Sequence, residues 1–284
     1  MNPHALRRRT ILGSTTTLEH PFDIATALTP EGQGRFVGHT APEYSNMVGP
    51  FGGITAATML RAVLDDPRCS GSPLSLTVNY AGPVATGAFT IDAEPVRTNR
   101  TTQHWVVTMR QDDSVATTAT VVCALRRPTW SDTEISPPDA PAPDALEVAE
   151  LPQSPAWLRN YDMRFVAGRG PFVGDGAPSP TSTSTLWVRD APARALDYPA
   201  IAAMSDVFFP RVMLRLGRMV PAGTVSLTVY FHAEIDPRAD PGRFVLATAR
   251  AQHFGNGFFD QSAHLWTDQG AALATSHQLV YFKD

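Results

Sequence analysis

The sequence holds two cysteines, and only 18% of its 284 residues are charged. Cys69 and Cys123 are far apart and lack metal-ligand spacing, so a zinc ribbon and a disulfide framework are both excluded. They read as reduced thiols of a cytoplasmic protein, with Cys123 in the apolar run Val121–Leu125. Apolar runs of membrane-spanning length are absent, so no transmembrane helix is expected. Basic charge is scarce as well: the net charge is -4, which argues against nucleic acid as a partner. The one basic run, Arg7-Arg8-Arg9, is followed almost at once by Gly13, Ser14 and three threonines, which is too polar for a twin-arginine signal. No nucleophile-elbow Gly-x-Ser-x-Gly, P-loop or dinucleotide fingerprint occurs. The eight histidines are scattered without metal spacing, so no metal or cofactor is expected.

Proline and glycine are plentiful, at 25 and 20 residues, so long uninterrupted helices should be few. Apolar residues make up 43%, enough for a globular core and against chain-wide disorder. At roughly 150 residues per domain the length suits one large fold or two medium units.

Pattern along the chain distinguishes these two. Residues 1–20 are polar and weakly patterned, an arm expected to be flexible. A short strand is predicted within Gly34–Tyr44. Phe51-Gly52-Gly53 then opens a helix over Ile54–Leu64 that is apolar on more than one face. Strand-like runs follow at Leu74–Tyr80, Ala88–Val96, His104–Arg110 and Val115–Leu125. Residues 128–156 are rich in proline and lack periodicity, as a linker would be. Beyond them, strands are predicted at Met163–Val166 and Thr181–Val188. A helical pattern covers Ala195–Leu216, in which Pro210 marks a start or a kink. Strands at Val225–Ile235, Phe244–His253, Gly257–Trp266 and Ala272–Phe282 close the chain.

Helix followed by four strands therefore occurs twice, and residues repeat with it. Met59-Leu60-Arg61 matches Met213-Leu214-Arg215 at an offset of 154, and Ser75-Leu76-Thr77-Val78 matches Ser226-Leu227-Thr228-Val229 at an offset of 151. Ala116-Thr117 matches Ala274-Thr275 at an offset of 158. Three matches in one order argue for a duplicated unit. An apolar helix needs cover on most sides, as when a sheet wraps around it, and two such units can join edge strands.

At this point the chain resembles the TesB-like, type II double-hotdog acyl-CoA thioesterases. Four segments carry the resemblance: Phe51-Gly52-Gly53, Ser205-Asp206, the strand from Thr224 to Phe231-His232, and the final strand from Gly270 to Gln278. The sequence departs from the family at Ser226-Leu227, where Asp-His is usual, and at His277, where a small or apolar residue is common. The resemblance implies an α+β tandem hotdog, each unit a central helix wrapped by a curved antiparallel sheet. The first unit would be 21–127 and the second 157–284, with 128–156 between them. It also implies an acyl-CoA substrate, hydrolysed without cofactor by a homo-oligomer.

Carried over, the family's water-activating set falls on Asp206, Thr224 and Gln278. Asp206 is expected near the start of the second helix, where the macrodipole favours a carboxylate; taken alone it reads as an N-cap. Thr224 can donate and accept at once, and Gln278 orients without titrating. Gly52 and Gly53 open the first helix and are expected to offer backbone N–H groups to the oxyanion, although a tight turn with close packing would also need them. By the offsets, Asp206 corresponds to Gly52, Thr224 to Pro73 and Gln278 to Thr120, so one competent site per chain is expected, in the second half. Arg97, Arg100 and Arg110 are candidates for the phosphates of coenzyme A. Two other readings stand beside hydrolysis. One is a non-catalytic acyl-CoA-binding protein. The other is a hotdog hydratase or dehydratase, for which His39 is the nearest histidine but Glu43 occupies the glycine position of the motif.

Overall fold

A computed structural model describes residues 20–170, 176–236 and 240–284. The expected arm and its arginine run lie outside the described residues, apart from His20. The first half comprises α1 (Pro21–Ala25), β1 (Thr29–Gly32), β2 (Arg35–His39), α2 (Gly52–Leu64), β3 (Ser72–Tyr80), β4 (Ala88–Thr98), β5 (Thr102–Gln111) and β6 (Ser114–Ala124). The second comprises β7 (Tyr161–Ala167), β8 (Ser184–Asp190), α3 (Tyr198–Met204), α4 (Arg211–Leu216), β9 (Ala222–Phe231), β10 (Val245–Arg250), β11 (Phe254–Gly255), β12 (Phe258–Thr267) and β13 (Ala272–Phe282). The predicted strands and the first helix all form, with shifted ends. The element β1 escaped the sequence reading because its four residues are all exposed and carry no alternation.

All the strands join one antiparallel sheet in the order β1-β2-β4-β5-β6-β3-β9-β13-β12-β10-β8-β7, with β11 beside β12. The order reads the same from both ends once strands are exchanged for their repeats. Its centre is the β3–β9 pair, where Leu76 faces Val229, Thr77 faces Thr228 and Val78 faces Leu227. Thr77 and Thr228 are equivalent residues of the two copies, and their hydroxyls bond each other at 3.1 Å. An approximate twofold axis therefore passes between them. The junction pairs two strand edges that would otherwise be open.

Even the irregularities repeat. The β3–β6 ladder skips Leu74, and the β9–β13 ladder skips the equivalent Val225. Bulges also pass over Ala116 in β6 and Leu273 in β13. These bulges correct the alignment of the last strands by one residue. Gln278 faces Leu227, and the equivalent Leu76 faces Val121, so the counterpart of Gln278 is Val121 and not Thr120. The literal Ala-Thr match had slipped, and only the inward alternation of the ladder resolves it.

Each half wraps helix with sheet, which is the hotdog arrangement built twice. In α2, Gly53 to Leu60, Ala62 and Val63 are buried, and the helix stops before Asp65-Asp66-Pro67. The helix of the second half is broken. Asp197 caps α3 by accepting from the Ala200 N–H, Pro210 stands at the cap of α4, and residues 205–210 pass between. Small residues let α3 lie close on α2: a Cβ on Gly53 would come 2.6 Å from the Ala203 carbonyl. Charge ties the helices too, since Arg194 bonds both Asp23 of α1 and Asp197.

Residues 128–156 do not hang free. Pro141 accepts from the Trp187 indole, Pro143 accepts from Arg164, and Ala149 donates to Met163, so the stretch straps the outer side of the second half. The two thiols, distant in sequence, lie 3.9 Å apart.

Candidate active site

The break between α3 and α4 places Asp206. The sequence reading set this residue at a helix start; it lies instead just past the C-terminal end of α3, with its N–H bonded to Ala203. The α3 cap belongs to Asp197. A helix C-terminus disfavours a carboxylate, so the favourable dipole must come from elsewhere. It comes from the first turn of α2 in the other half, where the Gly53 N–H favours the charged form of Asp206.

The remaining contacts close a chain of bonds. Gln278 Nε2 donates to Asp206 Oδ1 at 2.8 Å and lies 3.4 Å from the Ser205 carbonyl. Gln278 Oε1 accepts from the Thr224 hydroxyl at 3.3 Å. The amide orientation follows from its partners, because only the NH₂ end can serve a carboxylate. The bulge at Val225 brings Thr224 into reach: strict alternation inward at Val229 and Leu227 would make Val225 the next inward residue, but the ladder skips it and sets Thr224 opposite Val280. Thus Asp206, Thr224 and Gln278, proposed from the sequence, are brought together.

Burial pushes the Asp206 carboxyl up to about 7, against the bonds from Gln278 and Gly53 that hold it down. The side chain is enclosed yet not sealed off, since Asp206 keeps some exposure. Such a carboxylate is a stronger base than an exposed one and still meets water.

Gly52 and Gly53 are both at the site, in the first turn of α2. A Cβ on Gly52 would stand 2.6 Å from Asp206 Oδ2 and 3.5 Å from the Tyr80 hydroxyl. The glycine is therefore required by close approach. Tyr80, which donates to the Gly52 carbonyl at 2.8 Å, was missed by the sequence reading; an aromatic at the end of an alternating strand looks like core.

The arginine candidates are not brought together. Arg97 and Arg100 flank the turn between β4 and β5, and Arg97 bonds Asn99. Arg110 is at the opposite end of β5, about 20 Å from Arg97 and about 30 Å from Arg100 at the rise of a strand. His39 ends β2, exposed. Among the described residues, no cluster of three or more His, Cys, Asp or Glu could hold a metal, and no helix is long and apolar enough to cross a membrane.

Two helix-and-sheet units sharing one sheet, with a carboxylate, an amide and a hydroxyl gathered at their seam, define a double-hotdog protein of the thioesterase type. The chain belongs to the acyl-CoA thioesterase family: the family's N-terminal domain matches residues 41–124 and its C-terminal domain residues 135–282. Among solved structures it is similar to a hot dog fold protein of Alicyclobacillus acidocaldarius described as of unknown function, at 46% identity over 94% of this chain and 99% of that one, with TM-score 0.87. It shares its fold with the tesB protein of Mycobacterium avium subspecies paratuberculosis, at 21% identity, 93% and 98% coverage and TM-score 0.74. The same holds for the acyl-CoA thioesterase II TesB2 of Mycobacterium marinum, at 17% identity, 92% and 98% coverage and TM-score 0.73. No curated protein sequence matches.

Proposed function

We propose that the chain hydrolyses acyl-CoA to free acid and coenzyme A, with Asp206 as general base for the attacking water. The observation that carries this reading is the bonded run Thr224–Gln278–Asp206 around one enclosed carboxylate at the start of α2. The water gives its proton to Asp206 as its oxygen attacks the thioester carbonyl. Gln278 holds the carboxylate's orientation during the transfer, and Thr224 fixes the amide. The tetrahedral oxyanion then collapses, the C–S bond breaks, and the departing thiolate of coenzyme A takes up the proton held by Asp206, which restores the base. First-turn N–H groups of α2, with Gly52 foremost, are the candidate oxyanion donors in this scheme.

The second half supplies the titrating groups, and the first supplies the helix end. In the first copy the positions of Thr224 and Gln278 are held by Pro73 and Val121, neither of which can act on a proton. The reading is one site per chain. Release of free thiol from short, medium and long acyl-CoAs tests it: turnover with at least one member is expected. Binding without turnover across the panel would replace it with an acyl-CoA-binding role.

A further inference from the structure

The copies differ at one more inward position near the seam. Under the approximate twofold, the counterpart of Tyr80 is Phe231, which keeps the ring and lacks the hydroxyl. Phe231 packs edge-on against Tyr198 as a core residue, with ring centroids 5.5 Å apart. Tyr80 lies one step past the last β3–β9 pair, Asn79 with Ser226, and so beside the bulge that turns Thr224 inward. Its hydroxyl does not bond the sheet. It reaches across to the Gly52 carbonyl in the first turn of α2.

We propose that Tyr80 is a positioning residue for the reaction: its hydroxyl pins the first turn of α2, where Gly52 lies against the Asp206 carboxylate, so that the helix end stays aligned on that carboxylate. The inference rests on the reading of Asp206 as the base. The need for a pin follows from the local sequence. Two consecutive glycines open α2, and glycine has the widest backbone freedom of any residue. A side chain cannot be added to stiffen Gly52, because Asp206 Oδ2 occupies the Cβ position, nor to Gly53, where Phe51 and Ala203 do. A bond from outside the helix is the remaining way to fix that turn. The first half thus lacks the titrating groups but carries at Tyr80 a hydroxyl that its counterpart Phe231 lacks. The departures from symmetry in both halves converge on a single pole of the molecule.

Tyr80→Phe tests this while keeping the ring that fills the site. The titration of Asp206 is read from its side-chain carboxyl carbon by NMR, with D206N assigning the signal. A loosened first turn of α2 supports the carboxylate less well and predicts an upward shift of the midpoint by about half to one pH unit. In parallel, kcat for thiol release at pH 7 should fall about 5- to 20-fold, with KM changed less than twofold. A hydroxyl that only fills space would leave both the midpoint and kcat where they are, and that result overturns the proposal. Should the wild-type protein release no thiol, the base reading fails, while the NMR midpoint still decides whether Tyr80 aligns Asp206.

Discussion

At the scale of the residue, Asp206 dominates the chemistry. With its carboxyl near 7, the base form grows as pH rises through neutrality. We expect kcat to climb between about pH 6 and 8 with a single acid limb centred near 7; a limb near 4 would mean that the carboxylate is not enclosed as described. Gln278→Ala removes the 2.8 Å bond to Asp206 and leaves the Thr224 hydroxyl without its partner. Thiol release should fall about a hundredfold in that variant, and only about tenfold in Thr224→Val, which keeps the amide in place. Steady-state kinetics at pH 8 would order the two. The three side chains were legible in the sequence through family resemblance, since a lone Asp, Thr or Gln reads as a cap, a strand start or a core oddity. Tyr80 was not legible, because a strand's alternation demands an apolar ring there and says nothing of the hydroxyl.

At the scale of the element, a broken helix and a bulged strand make the site. The helical pattern of Ala195–Leu216 spans residues 205–210 with Pro210 as a start or kink, and the sequence reading set Asp206 near a helix start. It missed that α3 is capped by Asp197 and ends at Met204, and that Pro210 caps α4, so that Asp206 lies between two helices and against the facing α2. Bulges hide in the same way, because a period-2 pattern counts residues and not ladder partners. Gly52→Ala separates geometry from stability. Alanine in a helix is preferred to glycine by about 1 kcal/mol, so intrinsic propensity would stabilise the variant. Its Cβ, however, falls 2.6 Å from Asp206 Oδ2 and must displace it. Thiol release should drop at least tenfold with Tm within a few degrees of wild type; full activity would show that Asp206 does not depend on this approach.

At the scale of the whole molecule, the duplication was legible from short matches, and the two-unit reading follows from it. The exact register was not legible, because one slipped residue in β13 is invisible until the bulges are seen. Asymmetry between the copies has an energetic counterpart. Asp190 sits at the end of β8, 2% exposed, with one oxygen unpartnered and the other 3.9 Å from Arg194. Burial pushes it up to about 7, with Asp197 and Asp23 adding to the rise and Arg194 opposing it. Both Asp190 and Asp206 therefore have folded values above the unfolded carboxylate range. Their contribution to stability is fully present below about pH 4 and is lost as pH rises through about 7. Urea denaturation should show Asp190→Asn and Asp206→Asn each flattening that decline, and a decline equal to wild type would contradict the burial argument.

The central claim is that one enclosed carboxylate, Asp206, drives hydrolysis at the seam of the two halves. Thiol release from acyl-CoA by Asp206→Asn, measured beside its Tm at pH 7.5, tests that claim most directly. The account predicts a loss of about a hundredfold or more with a Tm equal to or above that of wild type. Turnover at the wild-type rate by the folded variant would contradict it.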